Sequence, residues 1–257
     1  PSINHFRNTI FAAISGNMSA GTHTISNNSI NNLWERSTGT TALLYGIWLR
    51  GSASYTASSN TVSGLKSYNT NASFYSAIGI SNTATAGNQL ISKNVIRVLS
   101  TDTSNSRIGL AGIYYNGPVS GTNVVEQNFI HSFSPNTTDI TSPLVGIHVI
   151  AGTTTYKNNM VRQGINSAGG SITNAFQITG ILEEGGINDF YFNSIYIGGN
   201  NVGAGQHSYA FNSSIAGAVS RNYRNNIFFN ARSNAAGSSP SHYAIRVAAA
   251  TGVISDF

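Results

Sequence analysis

The sequence predicts an all-β fold, a right-handed single-stranded parallel β-helix of about eight coils. Three observations carry this expectation. A Gly-Ile-like pair recurs at Ala13-Ile14, Gly46-Ile47, Gly79-Ile80, Gly112-Ile113, Gly146-Ile147, Gly180-Ile181, Ala210-Phe211 and Ala244-Ile245, in steps of 30 to 34 residues. An Asn two residues before an apolar residue keeps the same rhythm, at Asn28/Ile30, Asn60/Val62, Asn94/Ile96, Asn128/Ile130, Asn159/Val161, Asn193/Ile195 and Asn226/Phe228. The 257 residues include 32 Asn and 27 Gly, a density of turn-formers that requires short strands and tight corners. Self-similarity at a fixed period marks a repeat architecture.

Each repeat reads as three short strands. The first holds the Gly-Ile pair, as in Tyr45-Gly46-Ile47-Trp48-Leu49. The second ends at the Asn and carries an apolar or aromatic column three residues before it: Ile25, Ala57, Ile91, Val125, Tyr156, Phe190 and Tyr223. The third follows at once, as in Asn94-Val95-Ile96-Arg97-Val98, and a polar stretch leads to the next Gly-Ile. The Asn column is expected to form a corner ladder. A one-residue bend needs φ > 0, which Asn tolerates better than other residues with a side chain. Stacked amides about 4.8 Å apart would hydrogen-bond along the column. Propeller blades and leucine-rich repeats have other periods, and helical repeats need a 3.6-residue apolar rhythm that is missing here.

Composition narrows the function classes. Only 8% of residues are charged, and the net charge of +5 comes from scattered basic residues without a run. Nucleic-acid binding needs clustered Lys and Arg, so no nucleic-acid partner is expected. The chain has no Cys, which excludes disulfides and thiolate metal sites. No apolar run approaches the roughly 20 residues of a membrane span. Residues 1–257 are expected to form a single domain, a segment of a longer chain whose ends continue into further coils or self-associate.

The Gly-Ile strands, Asn corners and Asn-x-Ile strands resemble the repeats of the pectin-lyase-like superfamily. The stretches QNFIHSFS (127–134), KNNMVRQG (157–164) and NNIFFNARS (225–233) are similar to repeat-rich secreted and surface proteins of Bacteroidetes-type bacteria. The resemblance implies an extracellular or cell-surface location. It also implies a ligand site on the outer face of the first sheet, flanked by the loops entering it. It does not choose an activity, because one fold hosts many.

If each Gly-Ile isoleucine points inward, the next residue points out. The outer column is then Ser15, Trp48, Ser81, Tyr114, His148, Leu182, Asn212 and Arg246, with Arg50, Thr83, Asn116, Ile150, Glu184, Ser214 and Ala248 two residues further on. Trp48 and Tyr114 would stack on sugar rings about 10 Å apart. Arg50, Asn116, His148 and Arg246 would hydrogen-bond hydroxyls or carboxylates. Packing within the protein is the competing role for these aromatics. Catalytic carboxylates are scarce: among eight acidic residues only Glu183, Glu184 and Asp189 cluster. Glu183 and Glu184 should face opposite sides of a strand, and Glu183 is expected to turn outward because a buried unpaired carboxylate is costly. Glu184 with His148 is the weak acid/base candidate. The six His show no metal-ligand spacing, so neither a metal nor a cofactor is expected. The expected function is a surface module for adhesion, polysaccharide binding or filament and matrix assembly. The alternative is a polysaccharide lyase or glycoside hydrolase acting on the first sheet.

Overall fold

The structure is a computed structural model. It describes residues 3–5, 10–37, 42–69, 75–102, 107–215, 217, 221–248 and 254–256. Among these there is no helix, and the strands stack as a parallel β-helix. The first sheet runs through eight strands, Ile10–Met18, Leu43–Gly51, Ala77–Ala84, Leu110–Asn116, Pro143–Ala151, Gln177–Glu183, Ser208–Ser213 and His242–Val247, which bound about seven full turns. The second sheet runs from Thr22–Ser26 to Ile254–Asp256, and the third from Ser29–Asn31 to Ile227–Asn230. The predicted columns are in register. Ile14, Ile47, Ile80, Ile113, Ile147, Ile181, Phe211 and Ile245 pair in sequence. So do the inward columns of the other two sheets, which meet them in one continuous core.

The Gly of each pair is required by a close approach. A Cβ on Gly112 would lie 2.5 Å from Cγ2 of Ile130 on the third sheet, and one on Gly146 would lie 2.4 Å from Cγ1 of Val161. The Gly and the following Ile therefore both face the core, and the strand's strict alternation is interrupted there.

The Asn ladder is continuous. Nδ2 of each Asn donates to Oδ1 of the next, at 2.9–3.0 Å from Asn28 through Asn60, Asn94, Asn128, Asn159 and Asn193 to Asn226. The same Oδ1 accepts the backbone N–H of the preceding Asn, as from Asn94 to Asn128 at 3.1 Å. The second Nδ2 hydrogen goes to a carbonyl of the coil below, as from Asn128 to Ile91 at 2.9 Å. Every amide from Asn60 to Asn193 is buried, so its two donors and its acceptor oxygen are all used inside the protein.

The bend is not at the ladder Asn, contrary to the sequence expectation. Positive φ falls one residue earlier, at Asn27, Ser59, Lys93, Gln127, Asn158, Phe192 and Asn225, with φ of 54–58°. Turning the chain there leaves the Asn free to aim its amide along the stack. Each coil also has more sides than three. Leu33–Glu35, Lys66–Ser67 and Ser100–Thr101 form a short fourth strand beside the third sheet, within what sequence reading treats as the polar stretch. On its inner face Glu35 is buried, and burial pushes its carboxyl up to about 7 despite the Ser37 amide and Ser67 hydroxyl.

A second corner, between the first and second sheets, is also polar. Gln89, Asn123, Asn188 and Arg221 are buried there. Glu183 joins them, which corrects its expected outward turn. Its carboxylate is buried and held by Arg221 Nη1 at 3.4 Å, the Tyr223 hydroxyl at 2.9 Å and Asn188 Nδ2 at 3.0 Å. The predicted objection was to an unpaired buried charge, and this one is paired.

A second left-handed column opens the fourth side, at Asn32, Gly64, Val98, Ser132 and Gly164. Val98 has φ of 56°, where a β-branched side chain is strained. Its side chain is only half-buried, so Val98→Asn should raise unfolding stability by about 1 kcal/mol. Chemical denaturation checks this. An unchanged or lower midpoint would show that the strain is absent.

Candidate functional site

The first-sheet column lies where the sequence places it. Ser15, Trp48, Ser81, Tyr114, His148, Leu182, Asn212 and Arg246 are consecutive partners on the outer face. The face is not open, however. Only the end members Ser15 and Arg246 are exposed; Trp48 and Tyr114 are half-buried, and Ser81, His148, Leu182 and Asn212 are buried. The Gly-Ile interruption explains this. Because Gly and Ile both face inward, the residue before the Gly faces out as well. Tyr45, Ile78, Ala111 and Val145 thus join Tyr75 and Leu182 in a second apolar cluster outside the coil.

The predicted ligand residues are occupied by protein contacts. Tyr45 stacks on Trp48 at 5.0 Å and 15°, the Arg50 guanidinium lies 4.0 Å from the same ring, and Trp48 Nε1 donates to Thr83 Oγ1 at 3.2 Å. Tyr114 meets His148 edge-on at 5.5 Å. Arg246 donates to Asn212 Oδ1 at 3.1 Å. Asn116 is exposed, and a register shift after Tyr115 sets it opposite Ala151 instead of Ile150, which breaks the second predicted column on that side.

The third sheet carries the open face, which sequence reading passed over. Two outward columns flank its buried aliphatic column. One is Val95, Phe129, Met160, Ser194 and Ile227; the other is Arg97, His131, Arg162, Tyr196 and Phe229. Met160, Tyr196, Ile227 and Phe229 are exposed. With Phe129 and Ser194 they line a shallow groove of about 300 Å³. Tyr196 and Phe229 lie 5.8 Å apart, and Phe129 stacks on His131 at 4.2 Å. Burial, then the Arg97 and Arg162 charges, hold the His131 imidazolium below its ordinary range. The signal was present in the sequence as the two residues either side of each Asn-x-Ile isoleucine. It was missed because the resemblance pointed to the first sheet.

The acid/base candidate is assembled in part. His148 Nε2 lies 2.9 Å from Glu184 Oε2, and the Tyr75 hydroxyl lies 2.7 Å from His148 Nδ1. Tyr75 and His148 are buried, whereas the Glu184 side chain is 38% exposed. The hydrogen bond from His148 holds the Glu184 carboxyl below the usual range. Burial, with Glu184 nearby, raises the Tyr75 hydroxyl well above its own. Such a Glu184 is a stable anion that accepts a hydrogen bond; already ionised it is a poor general acid, and its lowered proton affinity makes it a weak base. Glu183 faces the other way into its ion pair, so the two glutamates do not flank one bond. Among the described residues no three His, Asp or Glu side chains gather as metal ligands would, and no helix is long and apolar enough to cross a membrane.

No family model, no curated protein and no solved structure matches this chain.

The Glu184 shift sets a pH dependence. A carboxyl depressed in the folded state contributes stability above its unfolded value, and that contribution is lost as pH falls through the folded value. Exposure keeps the effect small. Side-chain NMR titration should show Glu184 titrating below about 4.5, with His148→Leu, which has no donor, returning it toward that value. An unmoved midpoint in His148→Leu would rule out the hydrogen bond as the cause.

Proposed function

We propose that this chain is an extracellular or cell-surface β-helix module that binds polysaccharide, in the service of adhesion or matrix building, without strong catalytic activity. The observation that carries it is the aromatic and apolar strip on the third sheet. Large exposed apolar side chains on adjacent rungs gain little for folding beyond their cross-strand contacts, and contiguous ones mark interaction surfaces. They are mounted on a rigid sheet at a rise of about 4.8 Å, close to the length of one sugar residue. Ring faces at that spacing suit successive sugars of an extended chain. Kinship with the pectin-lyase-like superfamily, and with surface proteins of Bacteroidetes-type bacteria, belongs to the same proposal and rests on the repeat pattern.

One observation favours the second reading, a lyase or hydrolase on the first sheet: the 2.9 Å contact between His148 and Glu184. The buried state of His148 and the packed Trp48 and Tyr114 weigh against it.

Calorimetry against a panel of plant, algal and bacterial polysaccharides tests both. The joint change Tyr196→Ala and Phe229→Ala should weaken binding about tenfold or more, while Trp48→Ala should leave it unchanged. Loss of binding on Trp48→Ala alone would move the site to the first sheet. Robust turnover abolished by Glu184→Gln would establish the enzyme.

A further inference from the structure

The outward columns of the third sheet carry charge of one sign. Arg97, His131 and Arg162 occupy three successive rungs of one column, which continues into Tyr196 and Phe229. None of the seven strands of this sheet contains Asp or Glu. Arg97 is exposed and Arg162 half-buried. The ion pairs among the described residues lie elsewhere, at Lys66–Asp102, His148–Glu184, Lys157–Glu126 and Arg221–Glu183. The neighbouring second sheet shows the contrast. There the half-buried Lys157 has Glu126 one rung away at 3.2 Å.

Like charges on adjacent rungs repel. The two guanidiniums flank His131 one rung away on either side, and their charges contribute to holding its imidazolium below its ordinary range. The sheet therefore carries positive charge that no ion pair among the described residues neutralises. It lies in line with the aromatic platform.

We propose that the third-sheet face takes an acidic polysaccharide, with Arg97 and Arg162 pairing with its anionic groups while Tyr196 and Phe229 stack on its sugar rings. This rests on the polysaccharide reading above and adds the charge of the ligand and its polarity along the stack. The geometry fits an extended chain lying along the β-helix axis. Arg97 and Arg162 are two rungs, about 10 Å, apart, so they meet anionic groups on alternate sugars. A planar guanidinium presents a two-pronged donor matched to a carboxylate. An acidic peptide would satisfy the arginines but has no ring faces to offer the aromatic rungs.

The test compares carboxymethylcellulose, alginate and hyaluronan, each beside the same polymer with its carboxylates methyl-esterified, and polyglutamate as an acidic peptide. Titration calorimetry of the full chain is run at low and moderate salt. The proposal expects at least one anionic polymer to bind about tenfold tighter than its neutral ester. The preference should shrink as salt rises, because ion pairs on an exposed face are screened by salt. Arg97→Gln with Arg162→Gln should remove the preference without lowering thermal stability, since neither arginine has an ion-pair partner among the described residues. Tyr196→Ala with Phe229→Ala should weaken acidic and neutral polymers alike. Equal binding of ester and acid would overturn the charge inference and leave the polysaccharide reading standing. A preference that survives both arginine changes would overturn it too. Polyglutamate bound as tightly as the best polysaccharide, and unaffected by the aromatic changes, would make the partner an acidic protein. Binding to none of the polymers, esters included, would overturn both readings.

Discussion

Hydrogen-bonded stacking of each coil on the next, pinned at one corner by the asparagine amides, is the constraint on which the rest of this molecule depends. Third-sheet strands such as Val95–Arg97 are three residues long. Strands that short cannot set their own register by apolar pattern alone, since a slip of one residue would turn every side chain over. The ladder removes that freedom. An amide from Asn60 to Asn193 is satisfied only when the Asn above and the Asn below are both in line, and an amide out of line is a buried unsatisfied group. With the corner fixed, the isoleucine column, the left-handed bends and the Gly that admits the third-sheet aliphatics all fall into place.

The same arrangement allows charge and polarity inside a narrow core. Glu183 and Arg221 are both fully buried, yet the Ser213 and Tyr223 hydroxyls and the Asn188 amide surround them at the second polar corner. Such a pair adds little net stability, because desolvation offsets the attraction. Its two partners come from successive coils, the sixth and the seventh, so the pair links them. Outside the coil the division is just as sharp. The first sheet buries its outer face beneath Tyr75 and an apolar cluster, and the third sheet leaves its own uncovered.

The sequence was most legible wherever one residue type must repeat on every coil. All three inward columns, the seven ladder asparagines and the outer column from Ser15 to Arg246 follow from spacing, because each coil repeats the same geometry. Features set by backbone conformation were not legible. The left-handed residue before the ladder Asn varies from Lys93 to Gln127 to Phe192, so composition gives no hint of it. The paired inward Gly and Ile break the alternation by which exposure was inferred, and the Trp48–Tyr114 face was consequently taken as open. The shift at Asn116 is a local irregularity without a residue signature. Glu183 was misjudged because its partner Arg221 is 38 residues away in sequence. On the third sheet the relevant residues lay in plain alternation, and only the choice of face was at fault.

The functional reading follows from these physical divisions. A covered face packs, a ladder sets register, and the face proposed to take a ligand carries exposed rings and arginines that form no ion pair among the described residues. All of it presupposes that the ladder holds the coils in line. Denaturant unfolding of Asn128→Leu tests that most directly. The leucine leaves the Asn94 backbone N–H and one Asn94 amide hydrogen without an acceptor. The expected loss is about 3 kcal/mol, from buried donors left unsatisfied. A loss below about 0.5 kcal/mol, the size of a surface substitution, would contradict the ladder as the element that fixes the stack.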